Sequence, residues 1–412
     1  MRIGVDIGGT FTDVVILSDD GLLRSWKVAS TPSNFSLGVL DGVDLAAKEL
    51  GLDRAGLLGR ASHFIHGTTA TTNVVLTRTG ERVGLLTTRG FKDTYPLARQ
   101  YRGHEQDPAL VTHPEPLAAI EDIEEVTERV DFSGAVIVPL DEEDLKRAIQ
   151  SLTSRGIRSF AICFLWSFRN PEHEEQARRA VAQAAPDAYV CTSYEAAPIS
   201  GEYERTSTTV INAYGGPVLR RYAKQLDDDL RAGGLRKSLL VMKSDGGPAS
   251  IETAVARAAQ TVYSGPTAGV IASRLLGNLV GDRNLITFDM GGTSTDVALV
   301  RGGEAQTTTM QFLQRQAFAS PMIDVTSVGA GGGSIASITL GGSLQVGPAS
   351  SGADPGPACY SRGGELPTVT DANVVLGLID PNHFLGGRQQ LDSEAARRVV
   401  AEIASALGLD LH

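Results

Sequence analysis

Ile3-Gly-Val-Asp-Ile-Gly-Gly-Thr-Phe-Thr-Asp-Val-Val-Ile-Leu17 recurs in the same chain as Ile286-Thr-Phe-Asp-Met-Gly-Gly-Thr-Ser-Thr-Asp-Val-Ala-Leu-Val300, with eight of fifteen positions identical. Each copy reads as a short apolar strand ending in Asp, a Gly-Gly-Thr turn and a second strand in which polar and apolar residues alternate. That pattern predicts a tight β-hairpin with a bare backbone tip. Glycines leave amide N–H groups unshielded, so they can converge on an anion, and the threonine hydroxyls add donors. Gly8, Gly9, Thr10 and Thr12 in the first copy, and Gly291, Gly292, Thr293 and Thr295 in the second, are therefore candidate phosphate-binding residues. Asp6 and Asp289 supply hard oxygens suited to Mg²⁺ or its waters. A single Gly-Gly hairpin is an ordinary structural turn, but an unrelated hairpin has no reason to repeat Asp, Gly-Gly, Thr, Thr and Asp in register. Two such tips predict a paired clamp for a triphosphate. Asp13 and Asp296 each lie one residue past the second threonine, on the opposite strand face, where local bracing of the hairpin is the alternative to work at the metal.

The 412 residues, 42% of them hydrophobic, suffice for two domains of ordinary size. A net charge of −11 and a pI near 5.2 argue against a nucleic-acid or anionic-membrane surface and for a small molecule or another protein as partner. Cys163, Cys191 and Cys359 are far apart and form no Cys-x-x-Cys pair, which predicts neither a disulfide framework nor a zinc knuckle, but buried thiols in a reducing cytosol. Asp6 interrupts any apolar leader, and no apolar run approaches about 18 residues, so a cytoplasmic location is expected.

Strand and helix alternate after the first hairpin. Helical periodicity is read over residues 37–50, 141–152 and 171–185, and short buried strands over 64–65, 83–87 and 160–165, giving an α/β organisation with a largely parallel sheet. The acidic stretch 107–125 reads as a surface excursion. Residues 202–233 look helical with a break at Gly215-Gly-Pro217; 239–242 reads as a strand, 266–276 as a helix, and Gly329-Ala-Gly-Gly-Gly333 and residues 352–357 as stiff turns. The division predicted is a first lobe over residues 1–195 and a second over 200–412, each with one hairpin.

With the hairpins placed, the chain resembles the superfamily of actin, sugar kinases and heat-shock chaperones, in which two ribonuclease-H-like lobes close on ATP. The order Gly265-Pro-Thr-Ala268, Asp289-Met-Gly-Gly292, Gly331-Gly-Gly333 is similar to the order of pieces in those chaperones, and implies that Gly331, Gly332 and Gly333 form a phosphate-proximal turn. Within that superfamily the chain is most similar to the nucleotide-binding A-type subunit of the hydantoinase/oxoprolinase family, through Gly8-Gly-Thr-Phe-Thr-Asp13, His66-Gly-Thr-Thr69, Thr88-Arg-Gly-Phe91, Tyr203-Glu-Arg-Thr-Ser-Thr-Thr209, Val328-Gly-Ala-Gly-Gly-Gly-Ser334 and Gly352-Ala-Asp-Pro-Gly-Pro-Ala-Cys-Tyr360. The resemblance implies an enzyme that uses ATP and Mg²⁺ to phosphorylate an unreactive oxygen. That oxygen belongs to a cyclic amide such as a hydantoin or 5-oxoproline in the hydrolases, or to bicarbonate and an enolised ketone in the carboxylases, usually with a B-type subunit as partner. Asp6 and Asp289 would then be both metal-holding and catalytic, with Asp289 orienting the nucleophile or its water by superfamily analogy.

Two departures bear on this. Members of the family continue past the last residue of this chain, and the Gly-rich turn similar to the superfamily's adenosine-binding element lies in that continuation, so the second lobe is expected to be incomplete and to expose apolar surface. Weak, poorly selective ATP binding and a non-catalytic nucleotide-binding remnant are the corresponding functional expectations. Ala98-Arg-Gln-Tyr-Arg102 departs from the Gly-Arg-Gln common in the family, which leaves the substrate open and makes Arg99 a substrate candidate. His66, Thr68 and Thr69 are substrate candidates too, the alternative being a strand-end histidine before a threonine-capped helix. The polar segment 203–209 reads equally as cleft or interface lining, and Cys359 as a small core residue, since no base is legible beside it. There is no Gly-x-x-x-x-Gly-Lys-Ser/Thr, His-Glu-x-x-His or Gly-x-Ser-x-Gly, and no Gly-x-Gly-x-x-Gly after the first strand, so P-loop, zincin, α/β-hydrolase and nicotinamide readings have no support.

Overall fold

The computed structural model describes residues 1–8, 11–31, 35–100, 114–352 and 354–411, without the side chains of Phe35 and Gln100. It separates into two compact units, neither of them contiguous in sequence. One comprises Met1–Arg60, Gly265–Gln306 and Ile323–His412, the other Ala61–Ser264 and Thr307–Met322. This division differs from the sequence-based cut between 195 and 200, because both Asp-x-Gly-Gly hairpins fall in the first unit. A contiguous cut could not anticipate two crossings of the chain back into it.

In the first unit, strands Arg2–Ile7, Phe11–Leu17 and Leu23–Ala29 form an antiparallel meander in which Asp6 faces Asp13 and Ile7 faces Thr12. Period-two alternation puts Ile3, Val5, Ile7, Val14 and Ile16 on one buried face. Helix Phe35–Glu49 lies on that face. Glycine is needed where it approaches most closely, because a Cβ on Gly42 would stand 2.6 Å from Val14 Cγ2. The second hairpin, Leu285–Met290 and Thr295–Arg301, repeats the register with Asp289 opposite Asp296, and Val325–Val328 pairs with its second strand. Helix Ser264–Val280 contributes Val270 to a core of Ala298, Val300, Ile323 and Val325. Residues 358–411 add helices Val369–Val375 and Ser393–Leu407, whose core includes Cys359, Val374 and Ala396. They reach the first hairpin, where the Phe384 ring meets Phe11 edge-on at 6.3 Å and Arg388 Nη2 donates to the Lys27 carbonyl at 2.8 Å.

The second unit holds a parallel sheet in the order Tyr189–Thr192, Ser159–Cys163, Val83–Thr88, Ile123–Val126. Helices Glu142–Ser154 and Glu172–Ala184 bury their apolar stripes against it in one core, while helix Glu202–Ala232 belongs to another core that also includes Val83, Leu85 and Cys163. Asp141 starts the first of these helices by accepting from the Asp144 N–H at 2.9 Å. Two expectations are corrected in this unit. The end of the stretch read as a surface excursion, residues 123–125, belongs to edge strand Ile123–Val126, in which Ile123 and Val126 are buried; residues 107–113 lie outside the described residues. The helix does not break at Gly215-Gly-Pro217. Pro217 has no N–H for the Ala213 carbonyl four residues back, but Ser159 Oγ donates to that oxygen at 2.6 Å, and the Glu81 N–H takes the next carbonyl, Tyr214, at 3.0 Å. Among the described residues no helix is long and apolar enough to cross a membrane.

Candidate functional site

The acidic residues of both hairpins belong to the first unit. Asp6 sits at the end of its strand with Oδ1 buried and, among the described residues, without a hydrogen-bond partner. Burial is the main cause that pushes its carboxyl up to about 6; the charges of Asp13 and Asp289 add to the rise, while Lys27 and the Ile7 N–H oppose it. Gly265 closes the site from one side, since a Cβ there would lie 3.1 and 3.3 Å from the two Asp6 carboxylate oxygens. Asp13 is neutralised by Lys27 Nζ at 2.6 Å, and Lys27 rests over the Phe11 ring at 5.3 Å. Burial raises the carboxyl of Asp296, the Ser327 hydrogen bond offsets part of that, and Asp289 adds to it. Asp289 itself is exposed. Four carboxylates of one unit thus act on one another in sequence, and among the described residues only Asp13 has a cation in contact, Lys27.

The donors sort into two groups. Gly8 and Gly291 close their turns in the same way, each N–H donating at 2.9 Å, to the carbonyls of Phe11 and Ser294 respectively. Gly9 and Thr10 lie outside the described residues. Gly292 and Thr293 are exposed at the second tip, and their amides have no acceptor among the described residues, so they remain open to an anion. Thr12 and Thr295 do not. Thr12 lies on the buried face, where its hydroxyl is within 3.0 Å of Ser30 Oγ, which donates to the Gly8 carbonyl at 2.9 Å; Thr295 Oγ1 donates to the Ala330 carbonyl. Both hydroxyls brace the tips.

The Gly331–Gly333 amides are likewise committed. Gly331 N–H donates to Ser334 Oγ at 2.8 Å, Gly332 N–H to the Gly291 carbonyl at 2.9 Å and Gly333 N–H to the Gly292 carbonyl at 2.7 Å. A Cβ on Gly331 would lie 2.7 Å from the Gly292–Thr293 backbone. The turn seats the second hairpin tip. Thr370 continues the support by donating through N–H and Oγ1 to the Gly332 carbonyl at 2.7 and 2.8 Å. Asp371, fully buried, gathers the Cys359 and Thr368 N–H groups and the Thr368 hydroxyl at 2.7–3.0 Å. No motif in the sequence marks Lys27 or Thr370, and the Thr368-x-x-Asp371 capping box marks only a helix start; the tertiary fold brings them to the hairpins.

The candidate substrate residues fall in the second unit. His66 is buried with Nε2 2.7 Å from Tyr222 Oη. Thr68 Oγ1 accepts from the Ala70 N–H at 3.1 Å, and Thr69 Oγ1 from Asn73 Nδ2 at 3.1 Å, so both threonines organise the strand-to-helix turn. Arg99, at a left-handed φ of 50°, pairs with Glu204 through Nε and Nη2 at 2.8 and 3.0 Å. The segment 203–209 is buried, with Thr206, Thr208 and Thr209 donating to the carbonyls four residues back, which makes it core of this unit. Burial holds the Cys359 thiol far above its ordinary value, unsuited to nucleophilic work.

A buried carboxylate oxygen with no donor, flanked by like charges, is stabilised by a cation. Mg²⁺ is usually held by one or two carboxylates with phosphate oxygens and water completing its shell. The donor set fits that mode: Asp6 and Asp289 are coupled, and no cluster of three or more metal-binding side chains occurs among the described residues.

Paired Asp-x-Gly-Gly hairpins on mixed α/β units define a protein of the actin-like ATPase type. A nucleotide-free structure of acetone carboxylase, an enzyme of ATP-dependent acetone carboxylation, superposes with a TM-score of 0.86 at 29% identity over 100% of this chain and 59% of that one. The chain belongs to the hydantoinase/oxoprolinase family: residues 205–412 match the family itself and residues 2–185 its N-terminal region. The caprolactamase subunit alpha of Pseudomonas jessenii is 38% identical over 100% of this chain and 59% of its own length; the solved ATP-dependent caprolactamase of that organism gives a TM-score of 0.84. The acetophenone carboxylase gamma subunit of Aromatoleum aromaticum is 38% identical over 99% of this chain and 57% of its own length. The chain therefore spans somewhat under three fifths of the length of these two relatives. Those relatives comprise cyclic-amide hydrolases and ketone carboxylases, and several are subunits of multi-subunit enzymes.

Proposed function

We propose that this chain is the nucleotide-binding, A-type part of an ATP-dependent enzyme that opens a cyclic amide of the hydantoin, 5-oxoproline or lactam class. The observation that carries the reading is Asp6, with a buried, unpartnered carboxylate oxygen in a hairpin whose repeat bears Asp289 and free tip amides. An amide carbonyl resists water because its carbon is weakly electrophilic and its nitrogen a poor leaving group. Transfer of the γ-phosphoryl group to the amide oxygen activates that carbon; water then adds, the carbon–nitrogen bond breaks as nitrogen takes up a proton, and phosphate and ADP leave. Such a transfer needs positioning and charge neutralisation more than covalent help. The Gly292 and Thr293 amides would bind phosphate oxygens, and Asp289, being exposed, would orient the nucleophile. Mg²⁺ held by Asp6 and Asp289 would supply neutralisation of the phosphate charge. His66, Thr68, Thr69 and Arg99 would act on the substrate indirectly, by holding the turns in which they lie.

A second reading, the ATP-using subunit of a ketone carboxylase, is favoured by the acetophenone carboxylase gamma subunit, which is as similar as the caprolactamase subunit at 38% identity. In both readings a B-type subunit completes the enzyme. The test is ATP-dependent phosphate release by the chain with its partner subunits. Release stimulated by 5-oxoproline, a hydantoin or caprolactam supports the first reading; release only with bicarbonate plus a ketone selects the second. A fully assembled complex that releases phosphate with none of them would sink both and leave a non-catalytic remnant.

A further inference from the structure

The two hairpins differ where a third strand meets them. In the first, Asp6 lies opposite Asp13 and Asp13 opposite Lys27, so the three side chains stand in one row across strands Arg2–Ile7, Phe11–Leu17 and Leu23–Ala29. In the second, Asp289 lies opposite Asp296 and Asp296 opposite Ser327, the same row completed by strand Val325–Val328. The rows match in their acidic positions and differ in the third, a lysine against a serine. Ser327 hydrogen-bonds Asp296 without neutralising it, whereas Lys27 Nζ stands 2.6 Å from Asp13 Oδ2. Lys27 is also held on other sides. Its ammonium lies 5.3 Å from the Phe11 ring centre, Phe384 meets Phe11 edge-on, and the Lys27 carbonyl accepts from Arg388 Nη2 at 2.8 Å. With Asp13 spent on the ammonium, its row neighbour Asp6 keeps a buried Oδ1 that has no hydrogen-bond partner among the described residues. Of two carboxylates on directly opposite residues, one is closed to a metal and the other open.

The number of open carboxylates separates the two common hard cations. Mg²⁺ is held by one or two of them, with water and phosphate oxygens completing an octahedron, whereas Ca²⁺ takes roughly six to eight oxygens at longer distances and gains from each added carboxylate. We propose that Lys27 sets the ion preference of the first hairpin: by holding Asp13 it leaves Asp6 as the open carboxylate of its row, which favours Mg²⁺ over Ca²⁺. Lys27 is a positioning residue in this role, acting through Asp13 without touching the ion. The role rests on the reading of Asp6 and Asp289 as the metal-holding pair, and the two can fail separately. Because Mg²⁺ and Ca²⁺ carry the same charge, a change in net charge alone moves both affinities together, so their ratio reports the ligand set.

The experiment follows Mn²⁺ bound to the full chain by electron paramagnetic resonance and displaces it with Mg²⁺ or Ca²⁺. Lys27→Met keeps an apolar stem on Phe11 and removes the ammonium; it should raise the preference for Ca²⁺ over Mg²⁺ by about tenfold or more, as an added carboxylate ligand does. Lys27→Arg should keep the parent's preference. Adding Asp13→Asn to Lys27→Met should restore it, because the freed carboxylate is then gone. Asp13→Asn alone should leave the preference within about twofold of the parent's, since Asp13 is already withheld from the ion. This last variant decides the matter should circular dichroism show Lys27→Met unfolded: a larger shift would mean that Asp13 serves the ion in the parent, and would overturn the proposal. So would a Lys27→Met variant that binds both ions more tightly by the same factor, which would reduce Lys27 to net charge, or one that weakens nucleotide binding with the ion preference unmoved, which would assign the ammonium to phosphate. A parent chain that binds no Mn²⁺, or binds it equally well after Asp6→Asn, would sink the metal-holding pair itself and the role of Lys27 with it.

Discussion

Asp6 and Asp289 occupy the same position of the repeat and carry different burdens. Burial pushes the folded Asp6 carboxyl up to about 6 from its ordinary value of 3.8, so the folded state holds its proton more tightly than the unfolded chain does. Its contribution to stability is therefore complete below about pH 4 and is lost as pH rises through about 6, leaving a buried unpaired charge at neutral pH. Asp6→Asn removes that charge. Denaturant titrations should find the variant more stable than the parent at pH 8, by roughly 2 kcal/mol at most after allowing for residual solvent, with the gap closing as pH falls from 6 to 4. Phosphate release by the assembled enzyme should fall by about 100-fold or more in the same variant. Asp289→Ala should cost a similar factor in turnover with stability unchanged within about 0.5 kcal/mol, since its side chain is exposed. Full turnover in both variants would reduce the hairpins to structural turns.

At the scale of elements, the two hairpins were legible because period-two alternation and Gly-Gly are local signals, and both strand pairs form, with the same register in the two copies. The function of a glycine-rich turn is not local. The resemblance implies that Gly331–Gly333 lies next to phosphate; the fold spends its amides on Ser334 and on the carbonyls of Gly291 and Gly292, partners that no local pattern announces. Gly331→Ala should therefore displace the second tip and cost about 1–3 kcal/mol, as overpacking does, with a loss of nucleotide affinity. Gly269→Ala, exposed within helix Ser264–Val280 with no atom near its Cβ, should stabilise by roughly 0.5–1 kcal/mol and leave affinity alone. Thermal melts and nucleotide titrations of the pair separate packing at the tip from a general effect of adding a methyl group. The unbroken helix Glu202–Ala232 gives the same lesson, because its Pro217 is accommodated by Ser159, a residue distant in sequence. Ser159→Ala leaves the buried Ala213 carbonyl unsatisfied and should lower stability by about 1–3 kcal/mol in denaturant unfolding.

For the whole molecule, the fold class was legible because the repeat is long and specific, while the discontinuous units were not, since no local pattern tells the chain to leave one unit at residue 306 and return at 323. The same distinction governs nucleotide recognition. Carboxylates, any metal they would hold and the amides of a hairpin tip would read phosphate and charge; none of them would read a purine. The chain spans 59% of the caprolactamase alpha subunit, so base-reading contacts are free to reside in the unmatched part of such a polypeptide. Isothermal calorimetry on the chain by itself should accordingly give Mg-ATP and Mg-GTP affinities that differ by less than about tenfold, or 1.4 kcal/mol. Adding the unmatched portion of a relative should raise the preference for ATP, because a second set of contacts then acts on a nucleotide whose phosphates are already positioned. Tight, adenine-selective binding by the chain alone would place base recognition within residues 1–412, on groups other than the hairpins.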